Sequence, residues 1–368
     1  MKIKTVELLN PEWEVKERKN KLLVGRKKIG RGWHNSKQFL LPKEIELNER
    51  TAECVGLYLG DGKLTSRDLR HLDFTNKDLD LIKKMLKFFK YLGIKKSDIT
   101  FTIDYSKGNP VIIKNKISEY TGKQKFRIVK TDRNRYPSLH IQVNGTIFRI
   151  IFERILMKSI NEIKKYSHLR RAFLRGYFAA EGWIGHSRTE NYIVSVGFAY
   201  NPKKEVWLRD FCLECLKLEG INSKINIRHE QNNGQIIITN WENYYKLWKM
   251  SLFNGCERKK RKFLERFLDT KICCEIEDKM RIKLFSRNQY ELAKYLGTYQ
   301  PTISNMKTGS KRNMWPTIEQ INKLSEINKI PLLEIKKSIK RIRFGTLTIV
   351  DANKEMTNDI FNLRSHLS

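Results

Sequence analysis

The sequence predicts an α+β protein: two similar half-domains, each of the order αββαββα, followed by a small all-helical domain. Three observations predict it. A helix that ends in an acid and a glycine occurs twice, in matching contexts. In both halves, stretches of alternating apolar and polar residues lie between helical stretches. From about residue 258 only helical periodicity is legible. The 368 residues suffice for two or three domains, and 40% hydrophobic residues for at least one sizeable core.

The net charge of +33 and pI near 9.9 set the class of partner. Each phosphate neutralised by Lys or Arg releases counterions, so an excess this large suits a nucleic acid. It argues against a small-metabolite enzyme. No apolar run is long enough to cross a membrane, and Met1-Lys2-Ile3-Lys4 does not lead into a signal-peptide core. An intracellular protein is expected. Six cysteines do not make a disulfide framework, and Cys212 and Cys215 read as helix-face residues, not as zinc ligands.

Residues 1–44 read as a basic arm. Within it, the stretch from Lys16 to Arg31 holds Lys16, Arg18, Lys19, Lys21, Arg26, Lys27, Lys28 and Arg31 against only Glu17. Such a segment orders on nucleic acid or remains a solvated tail. The first half-domain spans 45–160. Its first helix, 51–62, ends in Asp61-Gly62, and a second, 79–92, ends in Gly93-Ile94. Residues 106–137 are loop-rich and read as an insertion. Leu139, Ile141 and Val143 then alternate with His140, Gln142 and Asn144, before a closing helix near 148–156.

The second half-domain spans 161–270. A helix over 172–182 ends in Glu181-Gly182, and another, 206–219, ends in Gly220-Ile221. Tyr192, Val194, Val196 and Phe198 form one strand face. Lys224, Asn226 and Arg228 alternate with Ile225 and Ile227, and a helix near 244–252 closes the half. The third domain, 271–339, holds short helices over 289–297, 300–307 and 318–327. Pro301 fits the first turn of its helix, where a missing N–H costs nothing. Residues 340–368 read as a C-terminal tail.

The repeated helix end is the most informative feature. Gly56 and Gly60 share one face of the first helix, and Gly176 and Ala180 repeat the spacing. Glycine inside a helix costs up to ~1 kcal/mol relative to alanine, so close packing of the two helices must offset it. Asp61 and Glu181 stand at helix C-termini, where the dipole disfavours negative charge. Two such acids brought together repel, and a divalent cation removes that penalty. Carboxylates with helix-end carbonyls make a hard-oxygen site for magnesium.

Here the sequence resembles the LAGLIDADG homing endonucleases. Residues 54–62 match the signature at its third, fourth, eighth and ninth places. Residues 174–182 match at the first, third, seventh and ninth, with Glu for Asp at the eighth. The resemblance covers roughly residues 40–270. It implies a monomer built as a pseudo-dimer, with a saddle of strands over a long asymmetric double-stranded DNA site. It implies that Asp61 and Glu181 hold Mg2+ or another divalent cation, with the carbonyls of Gly60 and Ala180 as further ligands, for phosphodiester hydrolysis. Lys224, Asn226, Arg228 and Gln142 are the strand residues expected on DNA. The family often sets a basic residue near the end of each half's last strand. Those positions fall near Asn144 and Asn240, and Lys63 either reaches the site or faces solvent.

Residues 289–307 resemble the helix-turn-helix of phage-repressor-type domains, at Gln289, Leu292, Ala293, Leu296, Gly297, Thr302, Ile303, Ser304 and Lys307. This places Gln300, Thr302, Asn305 and Lys307 toward the major groove, and Lys311 and Arg312 toward phosphates. The expected activity is site-specific double-strand cleavage of DNA. A catalytically silent transcription regulator and an RNA maturase that binds its host intron use the same scaffold. The chain has no splicing-type His-Asn ending, so a free-standing protein is expected and not an intein.

Overall fold

The computed structural model describes all residues except 27–36, 64–70, 123–125, 133–136, 187–192, 229–232, 270, 310–313, 346–347 and 366–368, and except the side chains of 228, 267–269 and 363–365. The chain divides into two compact units. The first comprises Met1–Ile184, Ser195–Thr239 and Asn243–Lys262; the second comprises Gly185–Val194, Asn240–Glu242 and Phe263–Ser368. No helix among the described residues is long and apolar enough to cross a membrane.

The expected basic arm is folded. Strands β1 (Lys2–Lys4), β2 (Trp13–Arg18), β3 (Lys21–Arg26), β4 (Phe39–Pro42) and β5 (Glu44–Glu46) make two small sheets, β1-β5 and β2-β3-β4. The reason is apolar: Trp13, Leu22, Val24, Phe39 and Leu41 are buried, while Lys16, Arg18, Lys19, Lys21 and Arg26 are exposed. Charge dominated the reading of a segment whose alternate residues are core. Lys27, Lys28 and Arg31 lie outside the described residues.

The first half continues with α1 (Glu49–Asp61), β6 (Gly62–Lys63), β7 (His71–Asn76), α2 (Leu79–Tyr91), β8 (Ile99–Tyr105), α3 (Pro110–Thr121), β9 (Phe126–Lys130), β10 (Ser138–Asn144) and α4 (Thr146–Ile163). Asn48 caps α1 by accepting from the Thr51 N–H. The sheet order is β6-β7-β10-β8-β9. The insertion expected as loops supplies α3 and β9, which pairs parallel to the edge of β8. Val111 and Ile112 of α3 are exposed, so its sequence carries little amphipathic signal. Register puts Leu72, Phe74, Phe101, Ile103, Leu139, Ile141 and Val143 on one buried face. Asp73, Thr75, Thr100, Thr102, His140, Gln142 and Asn144 fall on the other.

The second half holds α5 (Ser167–Glu181), β11 (Gly182–His186), β12 (Ile193–Tyr200), α6 (Val206–Leu218), β13 (Lys224–Arg228), β14 (Asn233–Ile238), α7 (Trp241–Lys249) and α8 (Glu257–Asp269). Its sheet order is β11-β12-β14-β13. Val196, Phe198, Tyr200, Ile236 and Ile238 are buried on one face. Val194, expected with them, is 46% exposed near the start of β12, and Tyr192 lies outside the described residues. Aromatic pairs fill both halves, among them Tyr58 with Phe152 and Phe178 with Phe253, edge to face. Each such buried ring contributes about 1.5–3 kcal/mol.

The second unit is not all-helical. Strand β15 (Ile272–Ile276) precedes α9 (Asp278–Leu284), α10 (Gln289–Leu296), α11 (Gln300–Thr308), α12 (Ile318–Asn328) and α13 (Leu332–Lys337). Then come β16 (Ile339–Phe344), β17 (Thr348–Asp351) and α14 (Lys354–Ser365). The antiparallel sheet β15-β16-β17 is built largely from residues expected to form a tail. Ile272, Cys273, Cys274 and Ile276 are all buried, so β15 lacks the period-two alternation that marks a strand. All six cysteines are free and buried, and burial pushes the Cys215 thiol up to about 12.

Candidate functional site

The two helices with glycine stripes, α1 and α5, pack backbone to backbone. A Cβ added at Gly56 would overlap the carbonyl oxygen of Phe173, and one at Gly176 would overlap that of Glu53. One at Gly60 would overlap the Ala180 methyl. Both helices then stop abruptly at an acid. The Gly62 N–H donates to the Tyr58 carbonyl and the Gly182 N–H to that of Phe178. At either glycine a Cβ would strike the ring and carbonyl of the same Tyr58 or Phe178, so only glycine makes this exit. The packing carries both acids to one end of the helix pair, with the Glu181 side chain lying against Gly60.

That end is poorly solvated. Burial pushes Asp61 up to about 6, opposed by a 2.6 Å hydrogen bond from the Asn76 amide to its Oδ2 and by the charge of Lys259. Glu181 is pushed up to about 8 by burial, then by the charges of Asp61 and Glu205, against Lys259. Among the described residues its carboxylate has no hydrogen-bond partner. Lys259, 7% exposed, is the residue that sequence reasoning missed. Its ammonium donates to the carbonyls of Phe178 (2.8 Å), Ala179 (2.8 Å) and Ala180 (2.9 Å). An ammonium has three donors, so these carbonyls use them all and none reaches a carboxylate. Burial pushes Lys259 down to about 8. The Ala180 carbonyl, expected as a metal ligand, is therefore shared with an ammonium.

A cavity of about 590 Å³ opens on this end, lined by Asp61, Asn76, Asp78, Ala180, Trp183, Arg258, Lys259 and Lys262, among others. Arg258 holds Asp78 below the usual carboxylate range although burial opposes it, with contacts of 2.9 and 3.0 Å. Lys262 donates to the Ile184 carbonyl at 2.8 Å. The Trp183 indole N–H is buried without a hydrogen-bond partner among the described residues. Lys63 is exposed and lies opposite Asp73 on the sheet, on a strand leading away from Asp61. Asn144 and Asn240 bring no basic group; Asn144 donates its amide to the Thr100 hydroxyl at 3.0 Å. No group of three or more His, Cys, Asp or Glu side chains among the described residues could hold a metal ion. Two carboxylates, backbone carbonyls, water and phosphate oxygen remain a fitting donor set for a hard cation.

The expected nucleic-acid contacts fall in two places. Gln142 lies on the polar sheet face of the first half, between Asp73 and Thr100. Asp73 also reaches diagonally to His140 on β10, whose Nε2 is 3.2 Å from its Oδ1. Lys224 and Asn226 are exposed on the edge strand β13, opposite Ile237 and Gln235. Arg228 pairs with Asn233 through the backbone, and its side chain lies outside the described residues. In the second unit, α10 and α11 join through Gly297 in the left-handed conformation (φ 64°), and the Thr298 N–H reaches the Ala293 carbonyl at 2.9 Å. Ile303 and Met306 are buried, whereas Gln300 is exposed and Thr302, Asn305 and Lys307 are half-buried. Gln300 Nε2 donates to Gln289 Oε1 at 3.0 Å. Tyr290 on α10 and Tyr299 at the start of α11, 75% and 80% exposed, were not singled out from sequence. Lys311 and Arg312 lie outside the described residues.

Residues 168–250 match the family described as LAGLIDADG-like domain, a stretch running from α5 into the end of α7. No curated protein sequence matches the chain. Similar solved structures include mesophilic variants of the homing endonuclease I-DmoI, at 17% identity over 56% of this chain and 96% of that one, with a TM-score of 0.32. I-DmoI in complex with DNA and Mn gives 19% identity, 56% and 98% coverage, and a TM-score of 0.33. Full-length DUF199/WhiA from Thermatoga maritima gives 13% identity over 87% of this chain and 93% of that one, with a TM-score of 0.38. Likeness at this level carries no argument about activity.

Proposed function

We propose that the chain is a site-specific, metal-dependent double-strand DNA endonuclease. The observation that carries this reading is the meeting of Asp61 and Glu181 at two abutting helix ends beneath an open cavity. Both acids are raised by burial, and the buried Lys259 ammonium spends its donors on backbone carbonyls. Such a pair is suited to a divalent cation held by Asp61, Glu181 and the Gly60 carbonyl. When bound, the cation polarises the phosphoryl oxygen and lowers the pKa of a water. Asn76 orients Asp61, and Lys259 fixes the end of α5 so that Glu181 cannot drift. The two polar sheet faces form a saddle over a long asymmetric site, read by Gln142, Lys224, Asn226 and Arg228. Helix α11 adds a second set of contacts through Gln300, Thr302, Asn305 and Lys307, with Lys311 and Arg312 on phosphates. The chain acts as a monomer, since both acids come from one polypeptide.

A second reading is a DNA-binding regulator that does not cut. It is favoured by one observation, the Lys259 ammonium on the Ala180 carbonyl. Incubation with duplex DNA carrying the insertion site of its own gene, with Mg2+ or EDTA, separates the two. The nuclease reading expects a double-strand cut only with metal, and none from Asp61→Asn or Glu181→Gln, both of which still bind. Tight specific binding with no cut in any divalent metal overturns it in favour of the regulator. If intron RNA is a further partner, it competes with DNA for the same face.

A further inference from the structure

The two helix ends are chemically unequal. Asp61, at the end of α1, takes its hydrogen bond from the neutral amide of Asn76. At the end of α5 three successive carbonyls, of Phe178, Ala179 and Ala180, close on one ammonium at 2.8–2.9 Å. The lysine is 7% exposed and comes from α8, far along the chain. The Phe178 ring also faces it, 5.5 Å from the nitrogen. A full positive charge with all three donors satisfied at a helix C-terminus already does what a bound cation does there: it offsets the helix dipole and the nearby acid. An ion placed on the Ala180 oxygen would share that atom with an ammonium nitrogen 2.9 Å from it.

We infer that Lys259 stands in place of a cation at the second helix end, so the site takes one divalent ion, on the Asp61 side, and not one per half. This rests on the nuclease reading. Its consequence is that the two helix ends carry different chemistry, a divalent ion by α1 and a resident buried ammonium by α5.

Mn2+ titrated into the full chain, with binding counted by calorimetry and by electron paramagnetic resonance, tests it without reading activity. The expected count is one ion in the wild type. Asp61→Asn should weaken that ion at least tenfold. Lys259→Met, checked for folding by circular dichroism, should admit a second ion. The wild-type count decides even if Lys259→Met does not fold. Two ions in the wild type overturn the inference and leave the nuclease reading standing, whereas one ion insensitive to Asp61→Asn overturns both. No bound ion overturns both.

Discussion

Glu181 keeps its proton to about pH 8 in the folded chain, because burial and then Asp61 disfavour its charge. The unfolded chain loses that proton near 4.5. Between these values the folded state binds more protons, so its stability falls as pH rises through the window. Glu181→Gln should therefore stabilise the metal-free protein at pH 8, by on the order of a few kcal/mol, read as a higher melting temperature. Thermal melts should show the gain shrinking toward zero below about pH 4.5. A gain independent of pH would point to packing instead. The same proton competes with any cation, so Mn2+ affinity should climb from pH 6 to pH 8 and then level. Both acids were legible in the sequence, because a charge at the wrong end of a helix, twice, is a conflict that needs a reason. Lys259 was not, because it sits in the run Glu257-Arg258-Lys259-Lys260-Arg261-Lys262, which reads as solvated charge. Its signal is positional: Cys256, Lys259 and Phe263 are all buried on one helical stripe.

Helices α1 and α5 touch through backbone atoms, which is why their glycines are not exchangeable. Gly176→Ala would drive a methyl group into the Glu53 carbonyl, and Gly56→Ala into that of Phe173. Neither neighbour is the tip of a flexible side chain. Each substitution should cost about 1–3 kcal/mol or more, read as a lower midpoint in urea with an unchanged slope. An unchanged midpoint would mean that the helices are not in this contact. The ion pairs of Glu53 with Arg175 and with Lys84 tie the same two helices to their surroundings. The helices around the acids were readable because amphipathic period and terminal glycines agree. The strands of the second unit were not, since β15 is buried on both faces and pairs with β16 from far along the chain. The N-terminal strands were hidden by their own exposed lysines and arginines.

At the scale of the molecule, most of the +33 charge lies in the first compact unit and a smaller excess in the second, so the first should dominate a steep salt dependence on DNA. Side chains of α11 should separate by role. Lys307→Ala should weaken binding to all sequences and lower the slope of log affinity against log salt by roughly 1. Asn305→Ala should weaken only the preferred sequence, by about 1–3 kcal/mol, with the slope unchanged. Fluorescence anisotropy on specific and random duplexes measures both. Equal losses on both duplexes for Asn305→Ala would assign α11 to packing, not to reading bases.

The lysine that serves the second helix end lies on α8, the last helix of its compact unit in chain order. During synthesis, residues 61 and 181 leave the ribosome well before residue 259 does. Until then the nascent chain holds two crowded acids and no ammonium on the carbonyls that end α5. The centre is therefore assembled last, and a polypeptide halted before residue 259 would have both acids but not the ammonium that closes the end of α5. Translation order itself sets the moment at which the end of α5 acquires its resident charge.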